Sequence, residues 1–171
     1  MSCNLTNGIS KGCRDNAGGI VEVFIGNFPT GYTANEWYLE TDGTITSISG
    51  LSMYQFSPNK NSSNWVENIQ SSIENDTIGY EQVVSLMFSK NEAELRNIII
   101  LLGQANLSII VRDKNEKYWL LGAQNGLQLT GGNGQSGTLL NDMNGWSITI
   151  GGNEKYPAYE VSSAIITDLL A

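Results

Sequence analysis

Histidine is missing altogether from this 171-residue chain. Its absence removes the commonest general base, the commonest metal ligand and the ordinary switch near neutral pH. Basic side chains are scarce: Lys and Arg number 9 against 17 Asp and Glu, for a formal net charge of -8 and a pI near 4.4. A chain without clustered Lys and Arg is not expected to grip nucleic acid, because phosphate binding depends on such clusters. No apolar run approaches the roughly 20 residues that span a bilayer, so no membrane partner is expected. The first residues show no basic region leading into an apolar stretch, so no secretory signal is expected and cytoplasm is the expected place of folding.

Only 2 cysteines occur, Cys3 and Cys13, within the opening stretch "SCNLTNGISKGCRDNAGGIVEVFIGNF". Two thiols without histidine cannot complete a tetrahedral zinc site. A catalytic thiolate wants an adjacent imidazole, which the chain cannot supply. A disulfide between them is unexpected in a reducing compartment. The expectation is a reduced pair in an N-terminal arm over residues 1–18, with Arg14 beside Cys13.

Charge is sparse in total, at 15% of residues, and the remaining polar surface is Asn, Ser, Thr and Gly. That balance suits strands and turns better than helices, whose exposed faces need Glu, Lys and Arg. Period-two alternation follows. Val21, Val23 and Ile25 would share one face of a first strand, opposite Ile20, Glu22 and Phe24. Trp37 and Leu39 mark a second candidate, "GTITSIS" a third, and "LSMYQFSP" a fourth that Pro58 closes. In "NWVENIQSSIE", Trp65, Ile69 and Ile73 fall on one face. In "IGYEQVVSLMFSK", Ile78, Tyr80, Gln82, Val84, Leu86 and Phe88 do the same. Strands about twice the usual five or six residues should form a hairpin projecting from the domain, with Asn75 and Asp76 supplying its turn.

One helix is expected over about 90–103, in "SKNEAELRNIIILLG". Ser89 would be its N-cap with Glu92 as the capping-box partner, and Gly103 its stop. Leu95, Ile98, Ile99 and Leu102 would form its buried stripe. Later strands are read in "NLSIIVRD", "KYWLLGAQ", "GLQLT", "GTLL", "GWSITIGG" and "AYEVSSAII". The fold class is mainly β: one domain over 1–171, a β-sandwich or partly closed barrel with a long projecting hairpin and one flanking α-helix.

Candidate chemistry is thin. "TGGNGQSGT" lacks the Gly-Lys-Ser/Thr ending of a phosphate loop and is read as a flexible loop between strands. Asp113 and Glu116 sit beside Lys114 and Lys117, the usual dress of an exposed hairpin turn. Asn4, Asn61, Asn75 and Asn106 match the glycosylation pattern by chance in an Asn-rich chain. The 4 tryptophans and 7 tyrosines could line a sugar-binding face, but scattered singly over strands they are more often core anchors. No spaced calcium ligand set appears. No catalytic residue, cofactor or metal is therefore expected.

The end patterns "CNLTNG…GCRDNAGGIVEVFIGNF" and "SGTLLNDMNGWSITIGGNEKYPAYEV" resemble those of tail tube proteins from tailed phages of Bacteroidetes-type bacteria. The middle agrees in order: a long hairpin, one helix after "FSKNEAELRNIIILL", then the hairpin carrying "VRDKNEKYWLLG". The resemblance implies a structural virion subunit, sharing its fold with the tubes of contractile and type VI secretion systems. Such subunits form hexameric rings that stack into a conduit for DNA ejection. It implies a tail-tube-like fold and itself as the first partner. Other tail proteins (baseplate or hub, terminator, a sheath where present) would be further partners, with assembly in the host cytoplasm. Ile69 to Val84 would reach the next ring and the arm would bridge neighbours. Six copies at -8 give a ring of about -48 formal charges, a wall that repels phosphate and lets genomic DNA pass without specific binding. The alternatives are another ring-forming tail component, or, in a different class, a carbohydrate-binding β-sandwich such as a phage adhesin. An enzyme with an all-carboxylate site is the remote third.

Overall fold

A computed structural model describes residues 4–32 and 36–171. Two β-sheets face each other. The chain runs through β1 (Ile20–Asn27), β2 (Tyr38–Thr41), β3 (Thr44–Ile48), β4 (Met53–Phe56), β5 (Asn64–Ser72) and β6 (Thr77–Ser89). After α1 (Ala93–Gln104) come β7 (Leu107–Asp113), β8 (Tyr118–Leu121), β9 (Gln128–Gln135), β10 (Gly145–Glu154) and β11 (Tyr159–Val161). A 3-10 turn (Ser163–Ile165) and a last helical turn, α2 (Ile166–Leu169), close it. The wide sheet has 7 strands in the order β2-β3-β11-β8-β7-β1-β4, and the narrow one has 4 in the order β5-β6-β10-β9. All pairings are antiparallel except β3 with β11. The sandwich expectation holds and the barrel does not: the sheets remain separate, with β2, β4, β5 and β9 as their edges.

The wide sheet carries a core on each face. Between the sheets, Val23 and Ile25 of β1, Ile109 and Val111 of β7 and Leu121 of β8 pack against Val84, Leu86, Ile148 and Ile150. On the opposite face, Phe24, Ile110, Leu120 and Val161 pack under Trp37, Met53, Ile166 and Leu169. This double coverage explains why β7 reads as a continuous apolar run, with Leu107 to Val111 all buried. Each fully buried Ile or Leu contributes about 1.5–3 kcal/mol.

Several local readings are corrected. In β1 a bulge between Ile20 and Glu22 shifts the register, so Ile20 joins Val23 and Ile25 in the intersheet core. Val21, expected on that face, is displaced from it because a one-residue slip reverses the pleat. Ser89 does not cap α1. It ends β6, paired with Gly145, and its hydroxyl is hydrogen-bonded to Asn59. The ladder holds it in the sheet, and Glu92 occupies the N-cap without a side-chain cap bond. Gly103 lies inside the helix, which runs on through Gln104. "AYEVSSAII" is a strand only to Val161, after which the chain coils across the second core.

The glycine-rich stretch is not a flexible loop. Residues 128–135 form β9, laddered to β10. A Cβ on Gly134 would stand 2.7 Å from the Trp146 ring, and one on Gly132 2.6 Å from the Ser147 carbonyl oxygen. The glycines are thus required by close approach in the sheet. "GTLL" is no strand either: Gly137 has φ 70, and the Asp142 carboxylate accepts from the Thr138 and Leu139 amides at 2.8 and 2.7 Å.

Candidate functional site

Three features stand out from the body of the sandwich: the β5–β6 hairpin, the arm, and a groove at the sandwich mouth. Along the hairpin, Asn64 pairs with Ser85 and Ser72 with Thr77. On its other side β6 pairs with β10 only from Tyr80 to Ser89. The last residues of the hairpin, around the turn at 73–76, therefore form a two-stranded ribbon. Asp76 takes φ 50 in that turn, a left-handed conformation that Asp tolerates. Trp65 and Ile69 share the inward face of β5, as Ile78, Tyr80 and Val84 share that of β6. Ile73, expected on the β5 face, lies in the turn, because the ladder ends at Ser72 with Thr77. Near the body this face is covered. Beyond it the same apolar face is bare, with Ile69 68% exposed and Ile78 59%, and Ile73 in the turn is 90% exposed.

A polar link fixes the base of the hairpin. Gln82, 2% exposed, donates from Nε2 to Glu67 Oε1 at 2.9 Å. Its own Oε1 accepts the amide of Gly122, which directly follows β8 of the facing sheet, at 2.9 Å. Glu67 Oε1 also accepts the Ala158 amide at 2.9 Å. Sequence reading placed Gln82 on the inward face without assigning it a partner; the inward polar position on an apolar strand was the available signal.

The arm is exposed from Asn4 to Gly18 and enters no strand. Its root is held by Asn115 of the β7–β8 turn. Asn115 Oδ1 accepts the Ala17 amide at 2.8 Å, while Nδ2 donates to Asn16 Oδ1 at 2.8 Å and to the Ala17 carbonyl at 3.0 Å. Leu5 and Ile9 stand almost wholly in solvent. Cys13 is a free, exposed thiol near exposed Arg14; Cys3 lies outside the described residues. In α1, Leu102 is buried and Leu95, Ile98 and Ile99 pack on the intersheet core, closing the side of the sandwich next to β9.

The opposite side is open at β5. Trp65 and Trp119 meet there with ring centroids 6.0 Å apart and planes tilted by 37°. Between them, the arm root and the β7–β8 turn lies a groove of about 810 Å³.

Several acids are engaged in holding turns or pairing with cations. Asp113 Oδ1 accepts the Asn115 and Lys117 amides at 2.8 and 2.9 Å, fixing the turn. Arg112 pairs with Glu22 at 3.0 Å and Glu116 at 3.7 Å, and its hydrogen bond to Glu22 raises its pKa further. Lys117 pairs with Glu160, which raises its pKa. Glu154 is buried at 3% exposure. It accepts the Gln124 and Asn125 amides at 2.9 and 3.0 Å, and burial raises its pKa above the ordinary 4.5 despite those bonds. It is the keystone of the β8–β9 connection. No group of His, Cys, Asp and Glu able to hold a metal ion occurs among the described residues. No described helix is long and apolar enough to cross a membrane.

No family model matches the chain, and comparison with curated proteins and with solved structures gives no match either.

Proposed function

We propose that this chain is a self-assembling structural subunit of the tail-tube type, forming hexameric rings that stack into a conduit for phage DNA. The observation that carries the reading is the bare inward face of the β5–β6 ribbon. Ile69 and Ile78 continue an apolar face beyond the body that covers it, with Ile73 exposed in the turn that follows. Exposed contiguous apolar surface of this kind marks an interaction site, and a second copy is the occupant that the tail-tube resemblance supplies. The open edges β2, β4, β5 and β9 add support, because identical neighbours can satisfy unpaired ladder groups. A heterologous contact repeated around an axis closes a ring. The arm, rooted at Asn115 and exposed from Asn4 to Gly18, would bridge neighbours. The net charge of -8 suits a wall to which DNA does not adhere. Other tail proteins are then its further partners and the virion its destination.

The test is assembly of the purified full-length chain, read by light scattering and negative-stain microscopy. Rings or tubes of six-fold outline are expected. Ile73→Asp combined with Ile78→Asp should leave the circular dichroism spectrum unchanged and abolish the rings. A wild-type chain that stays monomeric as its concentration is raised overturns the reading.

A further inference from the structure

The groove at the open mouth of the sandwich lies between the β5 edge and the arm root, and its chemistry is particular. Its lining is partly aromatic: the half-buried Trp65 and Trp119, from facing sheets, both border it, with ring centroids 6.0 Å apart. The Trp119 ring is oriented by its own Nε1, which donates to Asp113 Oδ2 at 3.4 Å. The Asp113 carboxylate is in turn fixed by two backbone amides. The aromatic lining is therefore held in place before any ligand arrives.

Its rim is polar and nearly balanced in charge. Asp15, Asp113 and Glu116 face Lys114 and Lys117 around the opening, and Asp113 and Lys117 are committed to partners within the protein. That balance disfavours a strongly anionic ligand such as a phosphate chain, and equally a polycation. Lys114 lies across the opening with its ammonium 2.9 Å from Asn61 Oδ1, and an ammonium has three protons to donate. Asn16 contributes a carboxamide from the arm root. An indole-lined groove with neutral-on-balance donors and acceptors at its edge matches the two sides of a pyranose ring. The C–H face of such a ring stacks on indole while its hydroxyls reach the rim. The volume of about 810 Å³ falls in the range of small-molecule sites, roughly 300–1,000 Å³.

We propose that this groove binds a neutral oligosaccharide, stacked on Trp65 and Trp119 and hydrogen-bonded at the rim by Asn16 and Lys114. Such binding is read on single subunits, in which the β5 edge and the arm root that line the groove are uncovered.

The test titrates the full-length chain with neutral glucans, galactans and N-acetylhexosamine oligomers, following tryptophan emission, with inorganic phosphate as the charged control. At least one neutral oligosaccharide should give a saturable change, with a Kd on the order of 0.1–1 mM. Trp119→Ala should weaken it by about tenfold or more, since loss of a stacked ring is worth at least ~1.4 kcal/mol. Where Trp119→Ala fails to fold, the rim variant Asn16→Ala with Lys114→Ala decides, with a several-fold loss expected. Three results overturn the proposal. One is no saturable change with any sugar in the panel. Another is an unchanged Kd in the folded variants. The third is an emission change that follows protein concentration instead of sugar, which would assign the groove to a second copy of the chain.

Discussion

Gln82 lies in the narrow sheet and Gly122 directly follows β8 of the wide one, and the side-chain oxygen of the first accepts the backbone amide of the second at 2.9 Å. With the Gln82 amide also tied to Glu67, one buried residue sets how the long hairpin sits over the wide sheet. A core of Ile and Leu gives cohesion but little directional control. This polar link supplies direction.

Replacing Gln82 with Leu would preserve bulk yet strand the Gly122 N–H in the interior. A buried donor left without a partner costs about 1–3 kcal/mol. The urea midpoint should fall accordingly at unchanged slope, and Gln82→Glu should do worse, because it sets a second carboxylate against Glu67. An unaltered midpoint in Gln82→Leu would show the link to be incidental.

Glu154 gives stability a dependence on acidity. Burial raises its pKa above the ordinary 4.5, so the folded state holds this proton more firmly than the unfolded one. The group's contribution is fully present below the unfolded value and is lost as pH rises through the folded value. Urea unfolding across the mildly acidic range should show that slope in the wild type and a flatter profile in Glu154→Gln. Glu154→Ala should be the least stable of the three near neutrality, since it deprives the Gln124 and Asn125 amides of their acceptor. Equal slopes in wild type and Glu154→Gln would sink this assignment.

Asn115 anchors the arm by both ends of its carboxamide. In Asn115→Ala the Ala17 amide should lose its protection and exchange with solvent deuterium at nearly the rate of an unstructured peptide. Global stability should change by only about 1 kcal/mol, because the bonds lost tie down the root of an exposed arm and not the core. Retained protection at Ala17 would mean that something other than Asn115 holds the arm root.

The strands were legible wherever inward and outward residues alternate. The long pair ending at Ser72 and Ser89 shows this, as does the inward set from Gln82 to Phe88. Legibility failed where the deciding partner is distant in sequence. Nothing local to "TGGNGQ" says that the Trp146 ring will lie across Gly134, and glycines carry no alternation to read. Ser89 has the right residue type and spacing for a helix cap; pairing with Gly145 overrides that local preference. The β1 bulge likewise leaves no mark in the run of Val and Ile. Of the groove, only the acidic and basic turn residues were visible. The meeting of Trp65 with Trp119 depends on how two sheets stack, which no single segment encodes.

The strand made last sits inside the wide sheet. β11 pairs in parallel with β3 through Glu160 with Thr44 and Val161 with Ile45, and on its other side with β8. Until residue 161 has left the ribosome, the β2–β3 ribbon has no neighbour to join, and the second core lacks Val161, Ile166 and Leu169. Contacts spanning so much of the chain slow folding, and domains complete as units only once fully synthesised. The wide sheet is therefore closed late: a nascent chain tethered short of residue 161 has β2 and β3 but not the strand that joins them to β8.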